Sequence, residues 1–454
     1  MEIGKIYQVT ITGLSHEGHG IGKIDGQVIF IPHALIDEKV FCKVTKIKNN
    51  YGIGELQSVI LSAKNRVKPI CSYFGRCGGC NLMHMDYESQ LQFKKKTAED
   101  TFRKIGHLDC RIDEVYGMED PYFYRNKIQM PFGIKNGKVI AGYYQEKSHH
   151  IIPIDRCYIQ PQEGTQMVLF IRNLANEFRI SGYDEKTGKG ILRHVLLRVN
   201  KKQEWMVVLV VTAKITYLNK LVNKIVERYP KVCSIIENIN SKDTNVILGH
   251  QSYVVYGSEF IEDELMGAKF RLSHYSFFQV NAIQTAVLYQ KVIDFLACTE
   301  KDTIIDAYCG VGTISIILAK LVKRVFGIEE IPAAIKDAEI NARLNNVNNI
   351  TFTEGLVEKE IPSLLNNAID AIVVDPPRKG LDQKVISCML DTNIPKIVYV
   401  SCNVATLARD LEKLQTKYEI KKTAMVDMFP QSNSMETVVL LEVKENGKIN
   451  NTIS

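Results

Sequence analysis

One stretch limits the fold more than any other: Thr303-Ile-Ile-Asp306-Ala-Tyr308-Cys309-Gly310-Val-Gly312-Thr313. A short β-branched run ends in an aspartate and passes directly into a glycine-rich turn, and residues 314–321 continue as an amphipathic helical pattern. Glycines at such a turn let the backbone approach a ligand closely, with the N-terminus of the following helix facing it. A second strand over residues 324–328 runs into Glu329, where a carboxylate can accept hydrogen bonds from ribose hydroxyls. From residue 269 onward strand and helix patterns alternate, the signature of a doubly wound parallel sheet. The third glycine of a dinucleotide fingerprint is absent, so a lone Gly-x-Gly leaves a cofactor turn and a structural turn both open.

Two further strand ends carry chemistry. Residues 371–375 read as a buried strand finishing in Asp375-Pro-Pro-Arg378, and residues 396–401 as another finishing in Cys402-Asn403. Ligands of open α/β sheets bind outside the carboxyl ends of the strands, so Asp375, Cys402 and the Gly310 turn are expected to face one crevice. Taken singly, Asp375 reads as a turn cap and Cys402 as an inert buried thiol, although a cysteine at a strand's exit argues against the latter. A helix over 406–414 and strands over 421–428 and 437–443 complete the pattern; by position alone Glu436 reads as an ordinary surface carboxylate.

The rest of the chain is of another kind. Residues 6–12, 27–31, 39–47 and 54–60 are short β-branched runs, with Gly13, Gly18, Gly20, Gly22 and Gly26 read as the gaps, which predicts a small OB-like barrel. Lys43, Lys46, Lys48, Lys64, Arg66 and Lys68 either guard a solvated edge or contact RNA. A helix over 87–105, anchored by Leu91, Phe102 and Ile105, and two strands over 191–199 and 204–212 place a mixed α/β region in the middle. The expected domains are therefore 1–62, 63–265 and 266–446, with a polar tail over 447–454. At 454 residues, 45% hydrophobic and 24% charged, the chain can bury several cores. No run of 18 apolar residues and no signal-peptide pattern is present, so a cytoplasmic protein without a membrane partner is expected. The net charge of +6 permits a nucleic-acid partner without requiring one.

The turn Asp306 to Gly312 with its downstream Glu329 resembles the cofactor motif of S-adenosylmethionine-dependent methyltransferases. Together with Phe277-Phe278-Gln279-Val280-Asn281, Asp375-Pro-Pro-Arg378, Ser401-Cys-Asn403 and the Phe429-Pro430 to Glu436 segment, the chain resembles the uracil-C5 RNA methyltransferases, and residues 1–62 resemble a TRAM domain. The resemblance implies Cys402 as nucleophile toward C6 of uracil and Glu436 as the base that removes the C5 proton, with a locally activated thiolate expected. It implies Gln279, Tyr308, Gly310, Thr313, Glu329 and Asp375 around S-adenosylmethionine, with Asp375 also able to face the uracil. Cytosine is disfavoured, because Arg378 stands where cytosine enzymes carry a second cysteine. The family pattern has threonine, histidine and proline where this chain has Ser432, Ser434 and Val404.

Eleven cysteines in a chain expected to stay in the cytoplasm do not read as a disulfide framework. Cys71, Cys77, Cys80 and a distant Cys157, among Gly75, Gly78 and Gly79, supply four thiolates that fit either an iron–sulfur cluster or zinc. The resemblance favours a [4Fe–4S] cluster, with zinc less favoured, and the cysteine cluster plus barrel favour 23S ribosomal RNA over tRNA as substrate. A flipped uridine is required, since a duplex hides C6. Arg125, Lys127, Arg193, His194, Arg198 and Phe277 are the candidate RNA contacts; Arg193 and His194 could equally line a hairpin, and Phe277 and Phe278 either stack on the base or pack under the sheet. No protein partner is implied and a monomer is expected. An RNA-binding assembly factor with a degenerate methyltransferase domain is the rival of another class, and a tRNA enzyme the nearer one.

Overall fold

The computed structural model describes residues 1–392 and 394–444; the expected tail over 447–454 lies outside the described residues. Three large sheets carry the chain, with a two-stranded one, Ile261–Leu265 and Ala268–Leu272, beside them. The first has six strands, ordered Ile6–Thr10, Lys39–Ile47, Tyr51–Leu61, Gln27–Ile31, Gly20–Ile24 and Gly13–Leu14, over a small core of Val9, Ile29, Ile31, Val40 and Val44. Gly20 and Gly22 were read as gaps between strands, but both sit inside one. A Cβ on Gly22 would stand 2.3 Å from Val9 Cγ1 and 2.8 Å from Thr10 O, so close strand packing, not a turn, requires the glycine. Arg66 is committed internally, donating to Glu38 Oε2 at 2.7 Å and to the His33 carbonyl at 2.6 Å.

The second sheet has seven strands, ordered Ile151–Pro153, Lys138–Tyr144, Lys127–Lys135, Leu192–Val199, Trp205–Val211, Val232–Ile239 and Gln251–Gly257. Helices Gln162–Glu177 and Leu218–Arg228 cover one face. The other face shares a core with the C-terminal unit, where Met206, Val208 and Val210 join Ile304, Val373 and Val398. Cover on both faces explains why every residue of Trp205–Val211 is buried and why that strand reads as an unbroken apolar run.

The third sheet has eight strands, ordered Ile350–Glu354, Arg324–Glu329, Thr303–Ala307, Ala371–Val374, Lys396–Ser401, Glu436–Val443, Tyr418–Val426 and Glu114–Tyr116. The first five pair in parallel and the Glu436–Val443 strand returns antiparallel. Its last strand was not expected there. The helix Tyr87–Ile105 packs on the helix Val404–Leu414, and Glu114–Tyr116 pairs with Tyr418–Val426. Residues 87–116 therefore belong physically to the C-terminal sheet, although they precede the middle sheet in the chain. Phe102 is fully buried there, whereas Ile105, expected as an anchor, is 43% exposed at the helix's last turn. Among the described residues no helix is long and apolar enough to cross a membrane.

Candidate active site and cysteine cavity

Chain order reverses between Thr303–Ala307 and its neighbour Ala371–Val374, and a cleft of about 750 Å³ opens there at the carboxyl ends of the strands. Tyr308, Gly310, Thr313 and Glu329 line it on one side, Asp375, Cys402 and Glu436 on the other, and Gln279 and Phe277 at its margin. Tyr308 adopts φ 66°, a left-handed conformation that costs a tyrosine energy and directs the turn across the strand ends. Gly312 has φ 79°, and a Cβ there would meet Phe352 at 3.0 Å and Ala338 at 3.2 Å. The Glu329 carboxylate accepts from the Gly310 N–H at 3.1 Å and the Ile331 N–H at 3.0 Å, which fixes it at the rim of the turn. The following helix, Thr313–Ala319, is only seven residues long.

Cys402 leaves the strand Lys396–Ser401 in a turn built by its neighbours. Ser401 Oγ accepts the Asn403 N–H, and Asn403 caps the helix Val404–Leu414 by accepting the Ala405 N–H at 3.1 Å. Asn403 also donates to the Arg378 carbonyl at 3.0 Å, tying the cysteine turn to the Asp375-Pro-Pro-Arg378 turn. Val404 occupies the first helical position, where proline is favoured mainly because it lacks an N–H that has no partner there, so its replacement leaves the turn intact.

The electrostatics differ from expectation. Burial, then the Glu436 and Asp375 carboxylates, push the Cys402 thiol up to about 11, against the smaller pull of Arg378. The expected local activation of this cysteine is thus corrected: the resting cleft keeps it a neutral thiol. Burial and Asp306 raise Asp375 to about 7, and burial followed by Asp375 lifts Glu436 well above the usual carboxylate range. Glu436 is 3% exposed, so it is not a surface carboxylate; a carboxyl group held in this way is a proton acceptor of raised basicity. Asp306, quoted in the motif but given no role, is buried, accepts from the Ser315 hydroxyl with one oxygen and leaves the other without a partner. Burial pushes it up to about 7 as well. Asp337, which accepts from Ser276 at 2.8 Å, also lines the cleft, and no sequence signal marked it.

The RNA-contact candidates separate. Phe277 is 69% exposed at the cleft, while Phe278 packs on Phe270 with ring centroids 5.8 Å apart. Arg193, His194 and Arg198 are buried, which corrects their reading as RNA contacts. Arg193 donates to the carbonyls of Asn240 at 2.9 Å and Lys242 at 2.7 Å and stacks over Tyr183, and Arg198 donates to the Ser276 carbonyl at 2.7 Å. Burial and the adjacent Arg193 hold His194 down to about 4, so it stays neutral. Arg193 thus ties its strand to the Asn240–Lys242 loop, and Arg198 ties it to Ser276, which lines the cleft.

Arg125 and Lys127 face a second cavity of about 180 Å³, which Cys71, Cys77, Cys80 and Cys157 also line. Burial raises the thiols of Cys77, Cys80 and Cys157, the last to about 12, and three of the neighbouring sulfurs add to the effect at Cys80. Four thiols around one apolar cavity with cations beside them are a donor set that a thiolate-ligated cluster takes. Among the described residues no three such side chains converge closely enough to hold a single metal ion.

Residues 86–444 match the family described as tRNA (Uracil-5-)-methyltransferase, and residues 1–57 match the TRAM domain. An uncharacterized RNA methyltransferase of Listeria innocua is 43% identical over 442 residues, covering 96% of this chain and 97% of that protein. One from Halalkalibacterium halodurans is 44% identical over 445 residues, covering 97% of each. Among solved structures, the Pyrococcus abyssi tRNA (uracil-54, C5)-methyltransferase in complex with S-adenosyl-L-homocysteine superposes with a TM-score of 0.79. It is 28% identical, with 96% of this chain and 99% of that one covered.

Proposed function

This chain belongs to the tRNA (Uracil-5-)-methyltransferase family and carries an N-terminal TRAM domain, and on that footing we propose that it methylates C5 of uridine in 23S ribosomal RNA with S-adenosylmethionine. The observation that carries the reading is the meeting of Cys402, Glu436 and Asp375 with the Gly310–Glu329 turn in one cleft. Glu329 is positioned for ribose hydroxyls, and a carboxylate-lined cleft suits a cofactor that bears a sulfonium cation. C5 of uracil is a poor nucleophile. Attack of the Cys402 sulfur on C6 makes an enolate whose C5 takes the methyl group, and the sulfonium leaves as a thioether. Glu436 then accepts the C5 proton, the C5–C6 double bond re-forms and the thiolate departs. With the resting thiol at about 11, its proton passes to solvent water as the uridine is engaged, and the thiolate is the form that attacks C6.

In the same reading, Cys71, Cys77, Cys80 and Cys157 hold a [4Fe–4S] cluster. The grouping of four cysteines around one cavity beside Arg125, Lys127 and Arg156 supports it. Such a cluster would supply a cross-link between residues 71–80 and the Cys157 loop. Iron and sulfide analysis with the visible absorption of the purified protein tests it; stoichiometric zinc without absorbance would overturn it.

A second reading, tRNA as substrate, is favoured by the full-length likeness to the Pyrococcus abyssi tRNA enzyme. Labelled S-adenosylmethionine offered with unmodified ribosomal RNA and tRNA, to wild type and Cys402→Ala, separates them. Label in 5-methyluridine of 23S RNA, absent with the alanine variant, is expected. Label in tRNA alone establishes the second reading, and no label in either RNA overturns the enzyme in favour of an RNA-binding assembly factor.

A further inference from the structure

Nothing among the described residues hydrogen-bonds the Glu436 carboxyl group; its place is set by its backbone, which opens the strand Glu436–Val443 opposite Val426, and by the connection that enters that strand. That backbone is held to an unusual degree for a connection between strands. Five consecutive carbonyls each receive a donor from elsewhere. Asp427 O accepts from Gln284 at 3.1 Å, Met428 O from Asn281 at 3.1 Å and Phe429 O from Lys94 at 3.1 Å. Pro430 O accepts from the Tyr124 hydroxyl at 3.1 Å, and Gln431 O from the backbone N–H groups of Asn81 at 3.1 Å and Leu82 at 3.0 Å. Lys94 and Asp427 form a fully buried ion pair at 2.6 Å, and Gln431 takes φ 71° while its N–H is met by Gln90 at 3.0 Å. Ser432 donates back to Phe429 O at 2.8 Å, so the serine standing where the family has threonine still closes the turn. Connecting segments are ordinarily the mobile part of a fold, and ordering this one so fully costs conformational entropy.

Asn81 stands where two systems meet. It follows Cys80, whose sulfur lines the cysteine cavity, and its side-chain oxygen accepts the Asn433 N–H at 2.9 Å, three residues before Glu436. We propose that Asn81 is a positioning residue for the base, transmitting the placement of the cysteine loop to the 427–433 segment and through it to Glu436. The inference rests on the uracil-C5 chemistry above, and that chemistry isolates it. Formation of the Cys402 sulfur–C6 bond and methyl transfer to C5 do not use Glu436. Transfer of the C5 proton to its carboxylate, with return of the electron pair to the C5–C6 bond and expulsion of the thiolate, does.

The test measures turnover and denaturant-stable enzyme–RNA adduct for wild type, Asn81→Ala and Asn81→Asp. Wild type is first shown to methylate the RNA; if it methylates none, the functional reading fails and this inference falls with it. For Asn81→Ala, turnover on natural RNA is expected to fall roughly tenfold or more, as for a misplaced reacting group. Methylated covalent adduct accumulates several-fold, while the rate of adduct formation on 5-fluorouridine RNA, which has no C5 proton to lose, is unchanged. Asn81→Asp keeps the accepting oxygen and restores release. Adduct formation and turnover falling together would assign Asn81 a merely structural role, and no change in either would remove it from the mechanism. Tyr124→Phe, which deletes the bond to Pro430 O, is the second variant should Asn81→Ala melt below wild type; the same adduct build-up is expected, and its absence counts against the proposal.

Discussion

The two cavities of this protein are electrostatic opposites. The large cleft is lined by Asp306, Glu329, Glu330, Asp337, Asp375 and Glu436 against Arg378, while the smaller one sets Arg125, Lys127 and Arg156 around four thiols and no carboxylate. In the first, burial and like charge push Asp306, Asp375 and Glu436 toward their neutral forms, and a cationic ligand relieves the crowding. In the second, cations await negative charge on sulfur. On the reading proposed above, the first takes in a positive cofactor and passes protons, and the second holds an anionic cluster.

The sharpest way to break this contrast is at Glu436, the base of the proposed reaction. Glu436→Gln should lower turnover on the order of 10²- to 10⁴-fold, the range of a lost general base, and should leave a covalent RNA adduct measurable on denaturing gels. If the adduct is also lost, the base assignment fails. At the other cavity, Cys157→Ser should remove the visible absorbance and lower the melting temperature, while S-adenosylmethionine binding by titration stays within a fewfold of wild type. Unchanged absorbance would exclude Cys157 as a ligand.

Acidity sharpens the comparison further. A thiol raised to about 11 is almost wholly protonated at neutral pH, and the nucleophile is the thiolate. The single-turnover rate should therefore climb about tenfold per pH unit between pH 6 and 8, because each unit multiplies the thiolate fraction by about ten. Arg378→Ala removes the charge that pulls this thiol down and should move the profile to still higher pH. A flat profile would mean that the thiol is already ionised in the RNA complex. The smallest effect is at the margin: Phe277→Ala should raise the KM for RNA by about tenfold, the worth of a lost stacking contact of about 1–3 kcal/mol, with melting unchanged. Arg193→Ala should do the reverse, lowering the melting temperature because the Asn240 and Lys242 carbonyls lose their donor.

Much of the C-terminal sheet was legible along the chain. Lys396–Ser401 and its exit at Cys402 follow from a short apolar run that stops at a turn, and Thr303–Ala307 from the run that enters the glycines. Local pattern suffices there because a parallel strand, buried on both faces, has to be apolar throughout. Arg193 and Arg198 misled for the converse reason. Residue type advertises a phosphate contact, but both side chains are buried and donate to backbone carbonyls that no sequence spacing connects to them. The raised Cys402 thiol was not legible either, because the Glu436 and Asp375 carboxylates beside it come from other strands.

Strand periodicity, the glycine turn, the place of Cys402 at a strand's exit and the recurrence of cysteines over residues 71–80 are local properties, written in residue order and limited by sterics a few bonds away. Burial of Glu436, the transfer of residues 87–116 to the C-terminal sheet and the grip on residues 427–433 are not local. Gln90 and Gln431 lie 341 residues apart, and their contact exists because three packed sheets bring those segments together. Apolar burial is non-directional and summed over the whole core, so it decides which distant segments meet only once every element has found its place.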